Sequence, residues 1–340
     1  MLVLGIESTC DETGCAIVED GTKILSNVIA SQFDIHKPFG GVFPELASRR
    51  HAEVIIPMVQ KCLDEARIQP ANLDLIAVAR GPGLIGPLLI GLNAAKSLSL
   101  GWNIPFIGVN HVEAHLYAAM MSSGSFDFPA LGVVLSGGHT FMVHILSVGR
   151  YQLIGTTIDD ALGEVFDKVA SLLGLGYPGG PAIEALAKKG NPSRYLFKAG
   201  KVKNNPWNFS FSGLKTNVLY TIKGQNGKAK DACIIDEEEK AHIAASFQKT
   251  AFSEIANKIK EAIQAFPCKA LYIGGGVSNS QTLRATLNSQ NLSIPIYWPS
   301  AGLSLDNGAM IAGLGMHLFK RNDKGDAMDL EPMTRIPLSN

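Results

Sequence analysis

The sequence predicts a duplicated α/β fold, in which two lobes of similar build each open with a β-hairpin. Residues 2–20, LVLGIESTCDETGCAIVED, read as a strand, a polar turn and a strand. Residues 129–148, PALGVVLSGGHTFMVHILSV, repeat this order around a glycine-rich turn. Alternating helix and strand patterns follow each hairpin, as is typical of α/β proteins. Because both halves open alike, and 340 residues are enough for two cores, we predict a duplication.

The elements follow in order from their periodicity and from their glycine and proline boundaries. In the first half the predicted elements after the hairpin are a helix at 46–66, a strand at 75–81 and a helix at 86–100. In the second half they are a third strand after SVGR, helices near 160–174, 180–189 and 240–265, and a strand at 269–276. We predict an N-terminal lobe at 1–125, a C-terminal lobe at 126–306, a helix at 307–320 that completes the first lobe, and an aperiodic tail at 321–340.

The charge balance limits how this protein holds nucleic acid. Its formal net charge is zero and its pI is about 7.1, whereas a protein that binds nucleic acid by charge alone is normally basic. An RNA partner must therefore meet a local patch or be held partly by another protein. Residues 188–205 carry six Lys and Arg, no Asp or Glu, and an embedded Tyr–Phe pair. A solvated loop and a contact to a phosphate backbone are both open interpretations of this stretch.

The cysteine pattern and the hydropathy indicate a cytoplasmic protein with no membrane segment. The five cysteines form no CxxC pair and their number is odd, which favours reduced thiols used as small apolar residues. No apolar run reaches the roughly 18 residues that a membrane-spanning helix needs. The N-terminus runs straight into a strand-like segment without a basic leader.

Two histidines in the stretch VNHVEAHLYAA are spaced for one metal ion. On a helix His111 and His115 lie about 40° apart, whereas Glu113 lies about 200° from His111. A zinc protease of the HExxH type has its glutamate directly after the first histidine, where Val112 stands here. The protease interpretation therefore fails on geometry, while a metal site that needs a third ligand remains. Asp306 is a candidate, although it serves equally well as a helix N-cap.

Two glycine-rich turns are candidate phosphate or nucleoside sites. LSGGHT at 135–140 offers backbone N–H groups between two strands, and YIGGGVSNS at 272–280 places three glycines between a strand and a helix. Neither matches GxGxxG or a P-loop, and either alone is as well explained as a structural turn. With the acidic turn STCDETG, they form the arrangement expected of the actin-like ATPase superfamily, in which two hairpins flank a nucleotide in a cleft between the lobes.

Ten collinear motifs resemble one enzyme family. They are GIESTCDETG, GGVFPELASRRH, GPGLIGPLLIG, HVEAH, VLSGGHT, DDALGEVFDK, YPGGP, FSFSGLKT, GGGVSNS and DNGAMIA. This set resembles the tRNA threonylcarbamoyltransferases called TsaD, in their bacterial form, a family once labelled O-sialoglycoprotein endopeptidase. The resemblance implies an actin-like (ribonuclease H-like) fold with a cleft between its lobes. It also implies transfer of threonylcarbamoyl from threonylcarbamoyl-AMP to N6 of adenosine 37 in tRNAs that read ANN codons, forming t6A and releasing AMP.

The resemblance also implies a set of functional residues. His111, His115 and Asp306 are expected to hold one Fe²⁺ or Zn²⁺. The expected substrate-binding residues are Val134, Leu135, Ser136, Gly137, Gly138, Asp167, Gly180, Glu184, Gly275 and Asn279, with ATP, ADP and AMP as further candidate ligands. Asp11 and His139 are two candidates for the group that takes the proton from N6.

Partners and alternatives complete the expectations. By the resemblance, the partners are tRNA, an inactive paralogue (TsaB) that pairs through the N-terminal lobe, and a P-loop ATPase (TsaE), while a homodimer stays open. The alternatives are a metalloprotease, a kinase of the same superfamily in which Asp11 and Glu12 serve Mg²⁺ and the base role, and a non-enzymatic scaffold gated by nucleotide. The candidate ligand set of two histidines and one aspartate disfavours the kinase alternative, because Mg²⁺ prefers oxygen ligands.

Overall fold

The computed structural model describes residues 1–39, 41–124, 126–200, 202–203, 205–224 and 235–337. The chain forms two compact units. The first comprises Met1–Phe126, Leu146–Gln152 and Tyr297–Asn340, and the second Asp127–Ile145 and Leu153–Ile296. The predicted C-terminal lobe at 126–306 thus differs from the structure, because residues 146–152 and 297–306 belong to the first unit. None of the helices that the structure describes is long and apolar enough to span a bilayer.

A five-stranded sheet forms the centre of the first unit. Its strands are β1 (Leu2–Glu7), β2 (Glu12–Glu19), β3 (Lys23–Ser31), β4 (Leu75–Gly81) and β5 (Phe106–Asn110). The order is β3-β2-β1-β4-β5, with β1, β2 and β3 antiparallel and β1, β4 and β5 parallel. Strand β3 was not predicted, because its sequence KILSNVIAS groups apolar residues next to one another around polar Ser and Asn and so lacks the strict alternation of a half-buried strand. The helices before residue 126 are α1 (Phe33–His36), α2 (Pro44–Ala66), α3 (Ile85–Trp102) and α4 (His111–Ser123).

A second five-stranded sheet has the same order. Its strands are β6 (Ala130–Leu135), β7 (Thr140–Ser147), β8 (Arg150–Thr156), β9 (Leu271–Gly274) and β10 (Ile296–Tyr297), arranged β10-β9-β6-β7-β8. Counted from the first strand of each sheet, both orders are 3-2-1-4-5. In both, the first two strands are antiparallel and the first and fourth are parallel. This repeated topology confirms the predicted duplication.

The helices of the second unit are α5 (Leu162–Leu172), α6 (Gly179–Ala187), α7 (Ser212–Lys223), α8 (Glu237–Ala265) and α9 (Gln281–Asn288). Helix α7 was not predicted, since Gly213, Thr216 and Asn217 are weak helix formers. A distant carboxylate stabilises its start. Asp159 accepts hydrogen bonds from the backbone N–H groups of Phe211 (2.8 Å) and Ser212 (3.3 Å), which a helix leaves without internal partners.

The last helix, α10 (Gly308–Asn322), packs against the sheet of the first unit. It approaches β1 so closely that a Cβ on Gly5 would lie 2.1 Å from the carbonyl oxygen of Gly308. The part of the tail that the structure describes, residues 323–337, has no regular secondary structure but is held to the first unit. Asp326 Oδ2 accepts from Gly108 N (2.7 Å), and Leu330 O accepts from Lys96 Nζ (2.6 Å).

Candidate metal centre and substrate site

Three side chains of the first unit form a cluster that fits one metal ion. His111 and His115 lie on α4, and their ring centroids are 4.7 Å apart. Asp306 Oδ1 lies 3.6 Å from His111 Nε2 and 3.2 Å from His115 Nε2. One donor atom from each residue falls within 4.8 Å of the others. Two imidazoles and a carboxylate are a donor set that divalent transition metals accept, so the cluster is compatible with such an ion.

Helix caps position these three side chains. Asn110 ends β5 and caps α4, because its Oδ1 accepts from Val112 N (2.9 Å) and Glu113 N (3.3 Å). His111 is therefore the first helical residue. At α10 the cap is Asn307, whose Oδ1 accepts from Met310 N (3.0 Å). Asp306 is thus not the N-cap that the sequence left open, and its carboxylate faces the histidines instead.

Glu7 stands behind His111 and was missed by the sequence analysis. Its carboxylate is fully buried, with Oε2 2.9 Å from His111 Nδ1 and Oε1 accepting from Thr9 N (2.7 Å). A proton on Nδ1 that is donated to Glu7 leaves Nε2 of His111 directed to Asp306. The only available signal was the position of Glu7 in GIESTCDETG, which does not reveal a contact across 104 residues of chain.

Negative charge dominates around the cluster. Burial lowers the pKa of His111, but the charges of Glu7 and Asp306 outweigh it and raise the pKa to about 9. Burial also raises the pKa of Glu12 to about 10, and the charges of Asp11 and Asp306 add to this effect. Burial raises the pKa of the Cys10 thiol as well, again with support from these acidic neighbours. Such a surplus of carboxylates favours a bound cation.

The STCDETG turn is held by a histidine that is not a ligand. His51 Nδ1 lies 2.8 Å from Thr13 Oγ1, and its Nε2 lies 3.1 Å from the Cys10 carbonyl oxygen. Asp11, one candidate base, lies in this turn directly before β2, and its carbonyl accepts from Gln32 N (3.0 Å). Glu12 follows directly, and the charge of the neighbouring Asp11 adds to the burial that raises the pKa of Glu12. The turn is therefore shaped by buried polar contacts around Asp11.

Glu113 lies apart from the metal cluster, in agreement with the helix geometry. It lines a cavity of about 220 Å³ together with Asn110 and Arg321. Burial raises the pKa of Glu113 to about 7, and the nearby Arg321 opposes this shift. A glutamate in this position does not reach an ion held by His111 and His115, as a zinc protease would require.

The glycine turn of the second unit is closed by its own hydrogen bonds. Ser136 N donates to the His139 carbonyl (2.8 Å), and His139 N donates to Ser136 Oγ (3.0 Å). A Cβ built on Gly137 or Gly138 would meet nothing within 4 Å, so this backbone faces open space. Val134 and Leu135, by contrast, are fully buried, so these two predicted substrate-binding residues present no surface to a ligand in this structure.

Helices α5 and α6 bring further predicted residues next to this turn. A Cβ on Gly163 would lie 2.9 Å from Gly137 Cα, which places the start of α5 against the turn. Asp167 Oδ1, on α5, accepts from Gly179 N (2.7 Å) at the start of α6. Gly180 follows and faces open space. The contacts thus connect Gly137 with Asp167 and Gly180 through successive elements.

Glu184 and the second glycine turn complete the arrangement. Glu184 Oε1 accepts from Thr282 N (2.8 Å), Thr282 Oγ1 (2.8 Å) and Ser280 Oγ (3.1 Å), so this oxygen stabilises the start of α9. Gly275 has a φ of 88° and a Cβ there would lie 2.5 Å from the Leu135 carbonyl, so only glycine fits. Asn279 is exposed at the end of this turn. The predicted residues of the second unit therefore form one contiguous region.

Comparisons with known proteins agree with this architecture. Full-length HypF in the phosphate- and nucleotide-bound form superposes with a TM-score of 0.63 at 14% identity, covering 94% of this chain and 46% of HypF. Component A of the (R)-2-hydroxyglutaryl-CoA dehydratase of Acidaminococcus fermentans gives 0.51 at 14% identity, covering 95% of this chain and 100% of that one. Both have the actin-like ATPase fold, which confirms the predicted fold class.

The sequence relatives are far closer. The tRNA N6-adenosine threonylcarbamoyltransferase of Protochlamydia amoebophila is 57% identical over 341 residues, covering 100% of this chain and 99% of the relative. The enzyme of the same name from Chlamydia muridarum is 52% identical over 320 residues, with 94% and 93% coverage. The family model described as TsaD, tRNA N6-adenosine threonylcarbamoyltransferase, matches residues 23–313. The chain therefore belongs to the TsaD family of tRNA N6-adenosine threonylcarbamoyltransferases.

Proposed function

We propose that this protein transfers the threonylcarbamoyl group of threonylcarbamoyl-AMP to N6 of adenosine 37 in tRNAs that read ANN codons. The products are t6A and AMP. The observation that carries this proposal is the family match across residues 23–313. Two relatives of that name are also more than 50% identical to this chain in sequence. The His–His–Asp cluster and the contiguous glycine-turn region are the two places where the chain supplies suitable chemistry.

The metal cluster has an anchoring role in this proposal. His111, His115 and Asp306 would hold one Fe²⁺ or Zn²⁺, which would bind and polarise oxygens of the acyl donor. Glu7 keeps the His111 ring oriented through Nδ1. The carboxylates of Glu7 and Asp306 offset the positive charge of the ion, so the buried site stays balanced.

The second unit would hold the adenylate, with ATP, ADP and AMP as further ligands of the same region. The backbone N–H groups of Gly137 and Gly138 are suited to an anion, because this part of the turn faces open space. Ser136, whose own N–H is donated to the His139 carbonyl, would shape the turn that meets the substrate. Asp167 and Asn279 offer polar groups for a nucleoside, and Gly180 leaves room for close approach. Glu184 acts indirectly, because the oxygen described above already binds the start of α9.

Transfer also needs a group that removes a proton from the attacking amine. An exocyclic adenine amine is a weak nucleophile, and a mixed anhydride compensates by offering a good leaving group. Asp11 is our first candidate base and His139 the second. Adenosine 37 lies in a single-stranded loop, so no base pair must open to reach it.

The proposed reaction takes place in the cytoplasm with two partner proteins. We infer that an inactive paralogue of the TsaB type pairs with the N-terminal unit and that a TsaE-type P-loop ATPase assists turnover in the cytoplasm. Exposed apolar side chains on α2 and α3 support such a contact, among them Ile56 (51% exposed), Ile85 (51%) and Leu89 (42%). A homodimer through the same face is the alternative arrangement.

The experiment uses purified protein, synthetic threonylcarbamoyl-AMP, unmodified ANN-reading tRNA, the partner proteins and added Fe²⁺ or Zn²⁺. Digested nucleosides are examined for t6A by mass spectrometry. We expect t6A with the wild type and at least a hundredfold less with the double variant His111→Ala/His115→Ala, as when a metal-dependent step is removed. Circular dichroism of the variant checks that the fold is retained.

The matched control is Glu113→Gln, a change on the same helix outside the metal cluster. It should leave t6A formation within about threefold of wild type, whereas a zinc protease would lose its base. If the wild type forms no t6A with partners and either metal, the transferase proposal fails and ATP-dependent phosphorylation becomes the leading alternative. If His111→Ala/His115→Ala is fully active, the metal assignment is wrong.

A further inference from the structure

A short surface segment of the second unit concentrates positive charge and aromatic rings. Residues 188–205 contain six of the 30 Lys and Arg of a chain whose net charge is zero, and none of its acidic residues. Lys201 and Asn204 lie outside the described residues. Within the segment, Leu196 is 90% exposed, the highest value among the large apolar side chains that the structure describes. A large apolar side chain this exposed is available for contact with a partner, which would bury its surface.

The rings on either side of Leu196 form a platform. Tyr195 and Phe197 stack with their centroids 5.6 Å apart and their planes 10° from parallel. The hydroxyl of Tyr195 donates to Glu239, and its backbone N–H donates to Ser246 Oγ (3.1 Å). The platform is therefore fixed before any ligand arrives, which lowers the entropy that binding would otherwise cost.

Further anchors hold the segment to the two neighbouring helices. His242 and Lys249 of α8 make two of these contacts. His242 Nδ1 accepts from Asn191 N (2.9 Å), and Lys249 Nζ donates to Ser193 Oγ (3.1 Å). On the other side, Asn217 Nδ2 of α7 donates to the Lys198 carbonyl (3.3 Å). Residues 191–198 are thus a strap that is bound to both helices rather than a loose solvated loop.

A shallow groove of about 490 Å³ lies between this strap and α7. Its lining consists of Tyr195, Leu196, Phe197, Lys198, Asn217, Tyr220 and Thr221. Tyr220 is 45% exposed, and none of the lining residues is acidic. No described carboxylate lies within ion-pair distance of Lys198. A second groove, toward α8, contains Glu254 and is less suited to an anion.

We propose that the groove between the strap and α7 binds an unpaired stretch of the RNA substrate. Aromatic rings stack on bases of any sequence, an amide such as that of Asn217 reads base edges, and Lys198 meets a phosphate. This inference rests on the proposed function, which makes tRNA the substrate. An acidic protein segment would use the lysine but would have no need of three aromatic rings beside it, so RNA fits the lining better.

The test compares two double variants of the full-length protein. Lys198→Ala/Tyr220→Ala removes one cation and one exposed ring from the groove. Lys260→Ala/Leu153→Ala removes a lysine and a large exposed side chain elsewhere in the second unit. Fluorescence anisotropy measures the Kd for unmodified tRNA between 50 and 300 mM salt, about the range in which phosphate contacts titrate. t6A formation then gives KM for tRNA and kcat.

The groove variant should weaken tRNA binding about tenfold, from one lost stack and one lost phosphate contact. The slope of log K against log salt should fall by about 0.7, the value for one phosphate contact on a single strand. KM for tRNA should rise with kcat unchanged, and the control variant should match the wild type. Leu196→Ala, which removes only an exposed side chain, should weaken binding without lowering the melting temperature.

Three results would overturn the inference while leaving the enzyme intact. They are unchanged Kd and salt slope in the groove variant, a loss of kcat alone, and a loss of partner-protein binding with tRNA affinity preserved. The last would make the groove a protein-docking site. The wild type could instead make no t6A while its RNA affinity still depends on the groove. That result would refute the proposed reaction and support the RNA site.

Discussion

At the scale of single residues, the cluster depends on a side chain outside its ligand set. Glu7 is fully buried and its Oε2 lies 2.9 Å from His111 Nδ1. The second histidine differs, because Nδ1 of His115 has no hydrogen-bond partner among the described residues. A contact from Glu7 therefore orients the His111 ring, whereas among the described residues only helix packing and the nearby Asp306 act on the His115 ring.

Changing Glu7→Gln should lower the affinity for Zn²⁺ or Co²⁺ by about 10- to 100-fold, because outer hydrogen-bond partners of metal-bound histidines contribute that much. Competition with a chromophoric chelator measures the affinity, and the visible spectrum of the Co²⁺ form reports the ligand geometry. Glu113→Gln, which also removes a partly buried carboxylate, serves as the control and should bind metal as the wild type does. Equal affinities in all three proteins would show that Glu7 has no part in metal binding.

A second residue, Asp159, connects two of the sequence motifs. Its carboxylate accepts from Ser210 Oγ (2.6 Å) and Ser212 Oγ (2.7 Å) besides the two backbone groups at the start of α7. Partial burial raises the pKa of Asp159, but these four hydrogen bonds outweigh it and lower the pKa below its ordinary value. DDALGEVFDK thus holds FSFSGLKT in place.

A lowered native pKa makes this contribution depend on pH. The stabilisation is complete above the unfolded pKa of about 3.9 and is lost as pH falls through the lower native value. Asp159→Asn should therefore reduce the free energy of unfolding by about 1 kcal/mol at pH 7, a modest value for an exposed carboxylate. The difference from wild type should shrink below about pH 4. Urea unfolding at pH 7 and 3.5 measures both, and a pH-independent difference would contradict this account.

At the scale of elements, glycines set how closely α10 approaches the first sheet. A Cβ on Gly308 would lie 2.5 Å from Ala16 N and 2.6 Å from the Cys15 carbonyl carbon. These are backbone atoms of β2, which cannot turn aside as a flexible side chain would. The same approach carries Asp306, two residues earlier, to the histidines of α4. The glycine contacts of α10 therefore account both for its close packing on the sheet and for the position of Asp306 in the metal cluster.

Gly308→Ala should destabilise the protein by about 2–3 kcal/mol, the cost of overpacking against a rigid neighbour. The matched control is Gly101→Ala near the end of α3, where a Cβ would meet nothing within 4 Å. That change should stabilise by about 0.5 kcal/mol, because alanine favours a helix over glycine. Urea unfolding followed by circular dichroism compares the two. Equal effects of both changes would mean that the α10 contact is loose.

At the scale of the whole molecule, the first unit is assembled from three separate parts of the chain. Residues 297–337 return to it after the whole second unit has been formed, and the tail remains attached beyond α10. Met333 N donates to the Arg80 carbonyl (2.9 Å), and Arg80 Nε donates to the Glu331 carbonyl (2.9 Å). The aperiodic sequence of this tail gave no sign of the attachment, because Leu330, Glu331 and Met333 make these contacts through backbone groups that every residue possesses.

The neutral net charge of the whole chain is the sum of opposite local charges. Acidic groups surround the proposed metal site in the first unit, whereas the sequence of residues 188–205, in the second, carries six Lys and Arg and no Asp or Glu. Opposite local charges that cancel in the sum are consistent with a protein that binds both a cation and a polyanion. Composition alone excluded a uniformly basic RNA-binding protein but could not locate either patch.

The sequence by itself determined the fold class, the family, the helical spacing of His111 and His115, and the two glycine turns. These features are local, because residues close together in the sequence determine helix geometry, turn chemistry and motif order. Only the tertiary structure decided that Asp306 joins the histidines while Asn307 caps α10, and that Glu7 orients His111. It likewise decided that Glu184 supports α9 and that residues 191–198 form a bound strap. Each of these depends on packing between residues distant in sequence, where no local pattern states which side chains meet.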